Sequence, residues 1–161
     1  MHKILVVIAF LSVWTTSIRA ETIAVIGTGD VGGALGPEFA TLGHQVIYGS
    51  RNPGSEKVAA LVQRTGHGAL ATTPQEATLK AEIVVLAVPG MLVKEIVASL
   101  GDLSEKIIID PTNPLTRRED GKLGIKIDGS NAEIIQSGAP GASNDSPGKG
   151  RRTGFHSPGR R

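Results

Sequence analysis

The sequence predicts an α/β protein built on a doubly wound parallel sheet of about five strands. Three observations predict it. Short apolar runs alternate with stretches of helical periodicity from Thr22 to Gln136, the pattern of repeated strand–helix–strand units. One run, Glu82–Val88 (EIVVLAV), is continuously apolar after its first residue, as a central strand buried on both faces requires. A glycine turn, Gly27-Thr28-Gly29-Asp30-Val31-Gly32, stands between the first apolar run and the first helix.

Met1–Ala20 reads as a secretory signal peptide. His2 and Lys3 form a short polar start, Ile4–Trp14 an apolar stretch, and Ile18-Arg19-Ala20 ends on a small residue that suits cleavage. The apolar stretch is far below the ~20 residues that span a bilayer, so stable membrane insertion is not expected. A periplasmic or secreted location follows from this leader; a cytoplasmic one is the alternative.

Thr22–Ile26 is the first strand, and the G-x-G-x-x-G turn follows it directly. Gly27 permits the sharp exit from the strand, Gly29 lets a pyrophosphate approach the backbone, and Gly32 allows close helix–strand packing. The helix running through Gly33–Ala40 would offer free N–H groups and a favourable dipole to the phosphates. Gln45–Gly49 is the second strand, and Ser50-Arg51-Asn52-Pro53 stands at its end. Dinucleotide sites specific for NAD place an acid here for the ribose 2′-hydroxyl. This chain offers Ser50 as a hydrogen-bond donor and Arg51 as a planar fork for a 2′-phosphate, with Lys57 adding charge, so the cofactor expected is NADP.

Ser55–Arg64 is the second helix, with Val58, Leu61 and Val62 on one face, and Ala69–Thr72 is a short third strand. Thr73-Pro74-Gln75-Glu76 starts a helix, with Thr73 as N-cap, Pro74 in the first position and Glu76 as capping-box partner. Pro89-Gly90 stops the fourth strand, Met91–Leu100 is helical, and Lys106–Asp110 is the fifth strand. Another helix occupies Asn131–Gln136, capped near Ser130. Ligands of such sheets lie at the carboxyl ends of strands. The turns at Gly27, Ser50, Val88-Pro89 and Thr112-Asn113 therefore share one edge. His44 and His67 sit beside glycines in loops and read as turn residues.

The chain has 161 residues, with 40% hydrophobic and 20% charged. Aromatics are few (Phe10, Trp14, Phe39, Tyr48, Phe155), so the core must be Val, Ile, Leu and Ala, and no stacking platform for nucleic acid is expected. The net charge of +2 conceals an asymmetry. From Pro140 onward five basic residues face Asp145 alone, so this tail carries +4 and the remainder −2. The absence of cysteine excludes disulfides, thiolate metal sites and cysteine nucleophiles. No metal site is expected.

The segments IAVIGTGDVGGALG, GHQVIYGSRNP, VVLAVP and IIIDPTNPL resemble, in order and spacing, the coenzyme F420-dependent NADP oxidoreductase family. The N-terminal reductase domains of some membrane ferric reductases look similar. The resemblance covers Thr22 to about Ala139 and implies a Rossmann fold that binds NADP. It implies that Thr28, Gly29, Asp30 and Val31 hold the pyrophosphate, that Ser50, Arg51 and Lys57 hold the 2′-phosphate, and that Val88 and Pro89 line the nicotinamide side. The family often has Asn at the place of Asp30, and an acid there adds repulsion that the helix N-terminus partly offsets.

The chain then divides into a signal peptide (1–20), an NADP-binding domain (21–139) and a basic tail (140–161). The tail is rich in Gly, Ser, Pro and Arg without apolar periodicity, so disorder is expected from about Gly141. The sheet would be truncated there. The sixth strand of the family would be missing, and the bare edge would favour a homodimer.

The resemblance implies an NADPH-dependent oxidoreductase that passes hydride between NADP(H) and a small-molecule or cofactor acceptor, namely a deazaflavin, flavin or metal chelate. Such transfer needs no acid or base from the protein, so no catalytic side chain is assigned. Two other readings stay open: a binding-only or truncated inactive Rossmann module, and an exported protein whose sheet serves interaction.

Overall fold

The computed structural model describes residues 20–113, 115–117, 122–125, 130–138 and 143–145. The leader expected over 1–20 lies outside them except for Ala20, as does most of the basic tail.

Strand β1 is Thr22–Ile26, and β2 (Gln45–Gly49), β3 (Leu70–Thr72), β4 (Ile83–Leu86) and β5 (Ile107–Ile109) follow in chain order. In space the order is β3-β2-β1-β4-β5, and every pairing is parallel. The chain winds outward from β1 through β2 to β3, then crosses back to β4 on the other side of β1. The reversal opens a crevice between the carboxyl ends of β1 and β4.

From Ile23 onward β1 is apolar because both of its faces are covered. Ile23 and Val25 join Val46, Tyr48, Leu61 and Val85 in one cluster. Ala24 and Ile26 join Ile47, Val84, Leu86, Val93 and Ile108 in the other. Alternation along one strand therefore feeds two separate layers. The first layer lies under helices α1 (Asp30–Thr41) and α2 (Glu56–Thr65), and the second under α3 (Pro74–Lys80) and α4 (Val93–Ser99). As expected, the buried apolar residues are almost all Val, Ile, Leu and Ala.

Helix α1 buries Gly32, Gly36 and Ala40 at four-residue spacing. A side chain at Gly36 would collide with the Tyr48 hydroxyl, so the helix approaches the sheet only because this stripe is small. Tyr48 is fully buried, and its hydroxyl lies 2.7 Å from Thr65 Oγ1. Thr65 spends its own proton on the Leu61 carbonyl at 2.9 Å, so Tyr48 must be the donor. Burial raises the Tyr48 pKa above its ordinary value, outweighing the bond to Thr65 and the nearby Arg64 charge.

Pro37 lies inside α1 and has no N–H to give the Gly33 carbonyl one turn earlier. Arg64 of α2 supplies a replacement: its guanidinium donates to Gly33 O at 3.1 Å. The missing helical bond thus becomes a tie between two helices.

The cap of α3 forms as the sequence predicts. Thr73 Oγ1 accepts from the Glu76 N–H at 3.3 Å, and Pro74 occupies the first turn. Glu76 also accepts from the Thr72 hydroxyl, and that bond leads the causes holding its carboxyl below the ordinary range. Ser130 and Glu133 form a reciprocal capping box at α5 (Asn131–Gly138), with Ser130 N–H to Glu133 Oε2 at 2.9 Å and Glu133 N–H to Ser130 Oγ at 3.2 Å.

Two findings differ from the sequence reading. Leu115–Arg117 (β6) and Leu123–Ile125 (β7) pair antiparallel as a small separate ribbon, unmarked in a stretch of charge and glycine. Ser143–Asp145 (β8) then adds a sixth, parallel strand beside β5, where disorder was expected from about Gly141. Ser, Asn and Asp have poor strand propensity, so the backbone pairing offered by β5 decides the conformation. The β5 edge is therefore covered, and the bare edge behind the homodimer expectation is not present.

Among the described residues no helix is long and apolar enough to cross a membrane.

Candidate functional site

At the crevice between β1 and β4 lies a cavity of about 740 Å³, within the size range of small-molecule and cofactor sites. Its floor is the turn after β1. Gly27 has φ +112°, and a Cβ there would strike the Ala87 carbonyl and stand 3.3 Å from Val88 Cγ1. The end of β1 and the turn after β4 thus touch only because residue 27 has no side chain. A Cβ at Gly32 would strike the Gly27 carbonyl, which identifies Gly32 as a packing glycine. Gly29 differs: nothing lies within 4 Å of its Cβ position, so its surface is open.

Gly29 is the N-cap of α1 and contributes no capping side chain. Its carbonyl accepts from Gly33 N–H at 2.7 Å. The N–H groups of Asp30, Val31 and Gly32 precede the first intrahelical donor, so the first turn presents uncapped donors and the positive end of the helix dipole.

On the next strand, the Gly49 carbonyl accepts from Gly27 N–H at 2.9 Å, and Ser50 N–H donates to Thr72 O at 2.9 Å. These bonds align the ends of β1, β2 and β3 at one level. Ser50 Oγ accepts from Asn52 N–H at 3.2 Å. Although Ser50 is only 8% exposed, it lines the cavity with its hydroxyl proton available. Arg51, Asn52 and Lys57 line the same end. Pro74, Leu92, Glu95 and Ile96 form the opposite wall, from the helices on the other face of the sheet.

The structure brings Gly27, Thr28, Gly29, Ser50, Arg51, Lys57, Val88 and Pro89 to one cavity. Asp30 lines an adjoining groove with Thr28, Gly29, Lys57 and Arg64. Val31 is half exposed on α1, and Gly32 is buried beneath the turn; neither side lines the cavity. Sequence reasoning missed Pro74, Leu92, Glu95 and Ile96. The last three fall at helical spacing directly after the β4 turn, which places them on one helix face, but the spacing alone does not say that this face meets the crevice. His44 Nδ1 accepts from Glu21 N–H at 3.3 Å and His67 occupies a left-handed turn at φ 49°; both are turn residues, as read.

Comparison with known proteins gives the same picture. An F420-dependent NADP reductase of Methanothermobacter thermautotrophicus is 37% identical over 100 residues, covering 58% of this chain and 43% of that protein. The namesake of Methanothermobacter marburgensis is 35% identical over 103 residues, covering 58% and 45%. The chain thus spans less than half the length of these curated relatives. A crystal structure of a protein from Arthrobacter sp. FB24, provisionally assigned as an F420-dependent NADP reductase, superposes with a TM-score of 0.71 at 27% identity, over 79% of this chain and 62% of that one. The family model described as NADP oxidoreductase, coenzyme F420-dependent, matches residues 22–114, more than half of the sequence, and the chain belongs to that family.

Proposed function

We propose that the cavity binds NADP(H) and that the chain serves hydride transfer between it and a deazaflavin, flavin or metal-chelate acceptor. The observation that carries this reading is the convergence of the Gly27–Gly29 turn, Ser50–Arg51 and Val88–Pro89 on one cavity. The cavity suits the cofactor chemically. Open space at Gly29 and the uncapped start of α1 suit a pyrophosphate. Ser50, Arg51 and Lys57 would hold a 2′-phosphate, and no acid stands at the end of β2 to favour the free hydroxyl. Val88 and Pro89 would line the ribose and nicotinamide side.

When bound, the nicotinamide supplies or accepts the hydride. The residues of this chain orient it and keep water from one of its sides. Asp30 adds negative charge beside the phosphates and lowers affinity, an effect partly offset by its place in the first turn of α1.

The test is calorimetric titration with NADPH and NADH, on the wild-type chain and on Arg51→Ala. Preference for NADPH, lost in the variant, supports the reading; binding of neither ends it. A second reading is a module that binds the dinucleotide without turnover. NADPH oxidation with coenzyme F420, a flavin or a ferric chelate separates the two. Export of the protein, supported by the leader-like residues 1–20, predicts Glu21 as the first residue of the mature chain.

A further inference from the structure

The cavity is chemically two-ended. One end, at β2 and α2, is basic. The other is an apolar wall formed by Pro74 at the start of α3, by Leu92 just before α4 and by Ile96 within it, with one exposed carboxylate beside them, that of Glu95. Leu92, Glu95 and Ile96 stand at i, i+3 and i+4, so they present one continuous face. Glu95 is the only acid lining the cavity among the described residues, and none of those residues pairs with it. A phosphate would be repelled here. A flat heteroaromatic base is the fragment that matches apolar contacts on its faces and an unpartnered hydrogen-bond acceptor at its rim.

We infer that Glu95 reads the purine of the dinucleotide, its carboxylate accepting from the exocyclic amino group while Leu92, Ile96 and Pro74 hold the ring. This rests on the proposed NADP(H) site and adds its base specificity. A carboxylate only accepts hydrogen bonds. It therefore favours a purine with a 6-amino donor over one with a 6-oxo acceptor, which would face it lone pair to lone pair. Arg51 lines the basic end of the same cavity, and its guanidinium would cover the other face of the base as its charge meets the phosphate.

The experiment titrates the 161-residue chain with NADPH and with its hypoxanthine analogue, in which the 6-amino group is replaced by oxygen. Wild type should bind NADPH more tightly by about tenfold, the scale of a charged hydrogen bond at a partly open site. Glu95→Ala should bring the ratio near one. Glu95→Gln, whose amide both donates and accepts, should narrow the ratio chiefly by improving the analogue. In all three proteins the preference for NADPH over NADH should persist, since Ser50 and Arg51 are untouched. If Glu95→Ala weakens both dinucleotides equally, the carboxylate holds a ribose hydroxyl and the assignment is wrong. If wild type does not discriminate yet prefers NADPH over NADH, Glu95 has no role and the NADP(H) site stands. If no dinucleotide binds, both fall together.

Discussion

The β1–β2 half of the sheet and the β5–β8 half are built on different terms. In the first, the strands are five residues long, both faces are buried, and the turn leaving β1 tolerates no side chain at Gly27. In the second, β5 and β8 are three residues each, and β8 is Ser-Asn-Asp, held by pairing with Ile107–Ile109. Local chemistry dictates the first half, whereas the second takes its conformation from the strand beside it. The candidate site lies on the first kind of structure, on the turn after β4 and on the helices that cover the sheet.

The comparison breaks most sharply at Gly27. Gly27→Ala must adopt φ near +112° and displace the Ala87 carbonyl, so a loss of about 3 kcal/mol or more is expected in urea unfolding, together with loss of dinucleotide binding. Gly36→Ala should cost about 2–3 kcal/mol, because the Tyr48 hydroxyl it meets is locked in the core. Arg51→Ala should leave the melting curve unchanged and reduce the NADPH preference by roughly 10- to 100-fold. Tyr48→Phe should cost about 1 kcal/mol: Thr65 keeps its bond to Leu61, so only the tyrosine's own hydrogen bond is lost.

At the other end of the scale, Asn144→Pro removes a donor from β8 and should change stability by less than about 0.5 kcal/mol, while speeding hydrogen exchange at β5. A loss above about 2 kcal/mol would mean that the two halves do not differ in kind. The smallest effect concerns pH. The folded-state pKa of Glu76 is depressed, first by the Thr72 hydroxyl, so its contribution is present above the ordinary carboxylate pKa and fades as pH falls through the folded value. Glu76→Gln should flatten the acid limb of stability slightly, and an acid limb identical to wild type would remove the assignment.

The same contrast explains what could be read in advance. Strands β1 and β2 carry their bounds in their apolar runs, and the α3 cap carries its own in Thr73, Pro74 and Glu76. Ser50, Arg51, Val88 and Pro89 were legible because they end strands that parallel topology brings to one edge. Glu95 was not, since which side of α4 faces the crevice depends on how Val93 and Val97 pack beneath it. The β6–β7 ribbon and β8 were hidden for another reason. A three-residue strand is too short to show alternation, and for β8 the partner strand, β5, is also distant in sequence.

The two-layer lining of the cavity has a consequence of its own. Thr28 and Gly29 lead into a helix, and Lys57 stands on another, both seated on one hydrophobic cluster, while Leu92 leads into, and Ile96 stands on, a helix seated on the other. A dinucleotide lying across the crevice would rivet two cores that otherwise meet only through the sheet. Its binding energy would then resist their separation, adding about 2.7 kcal/mol at a free concentration one hundred times the Kd. The persistence of the folded chain would therefore track the nucleotide supply of its compartment, and scarcity would be felt as turnover of the protein.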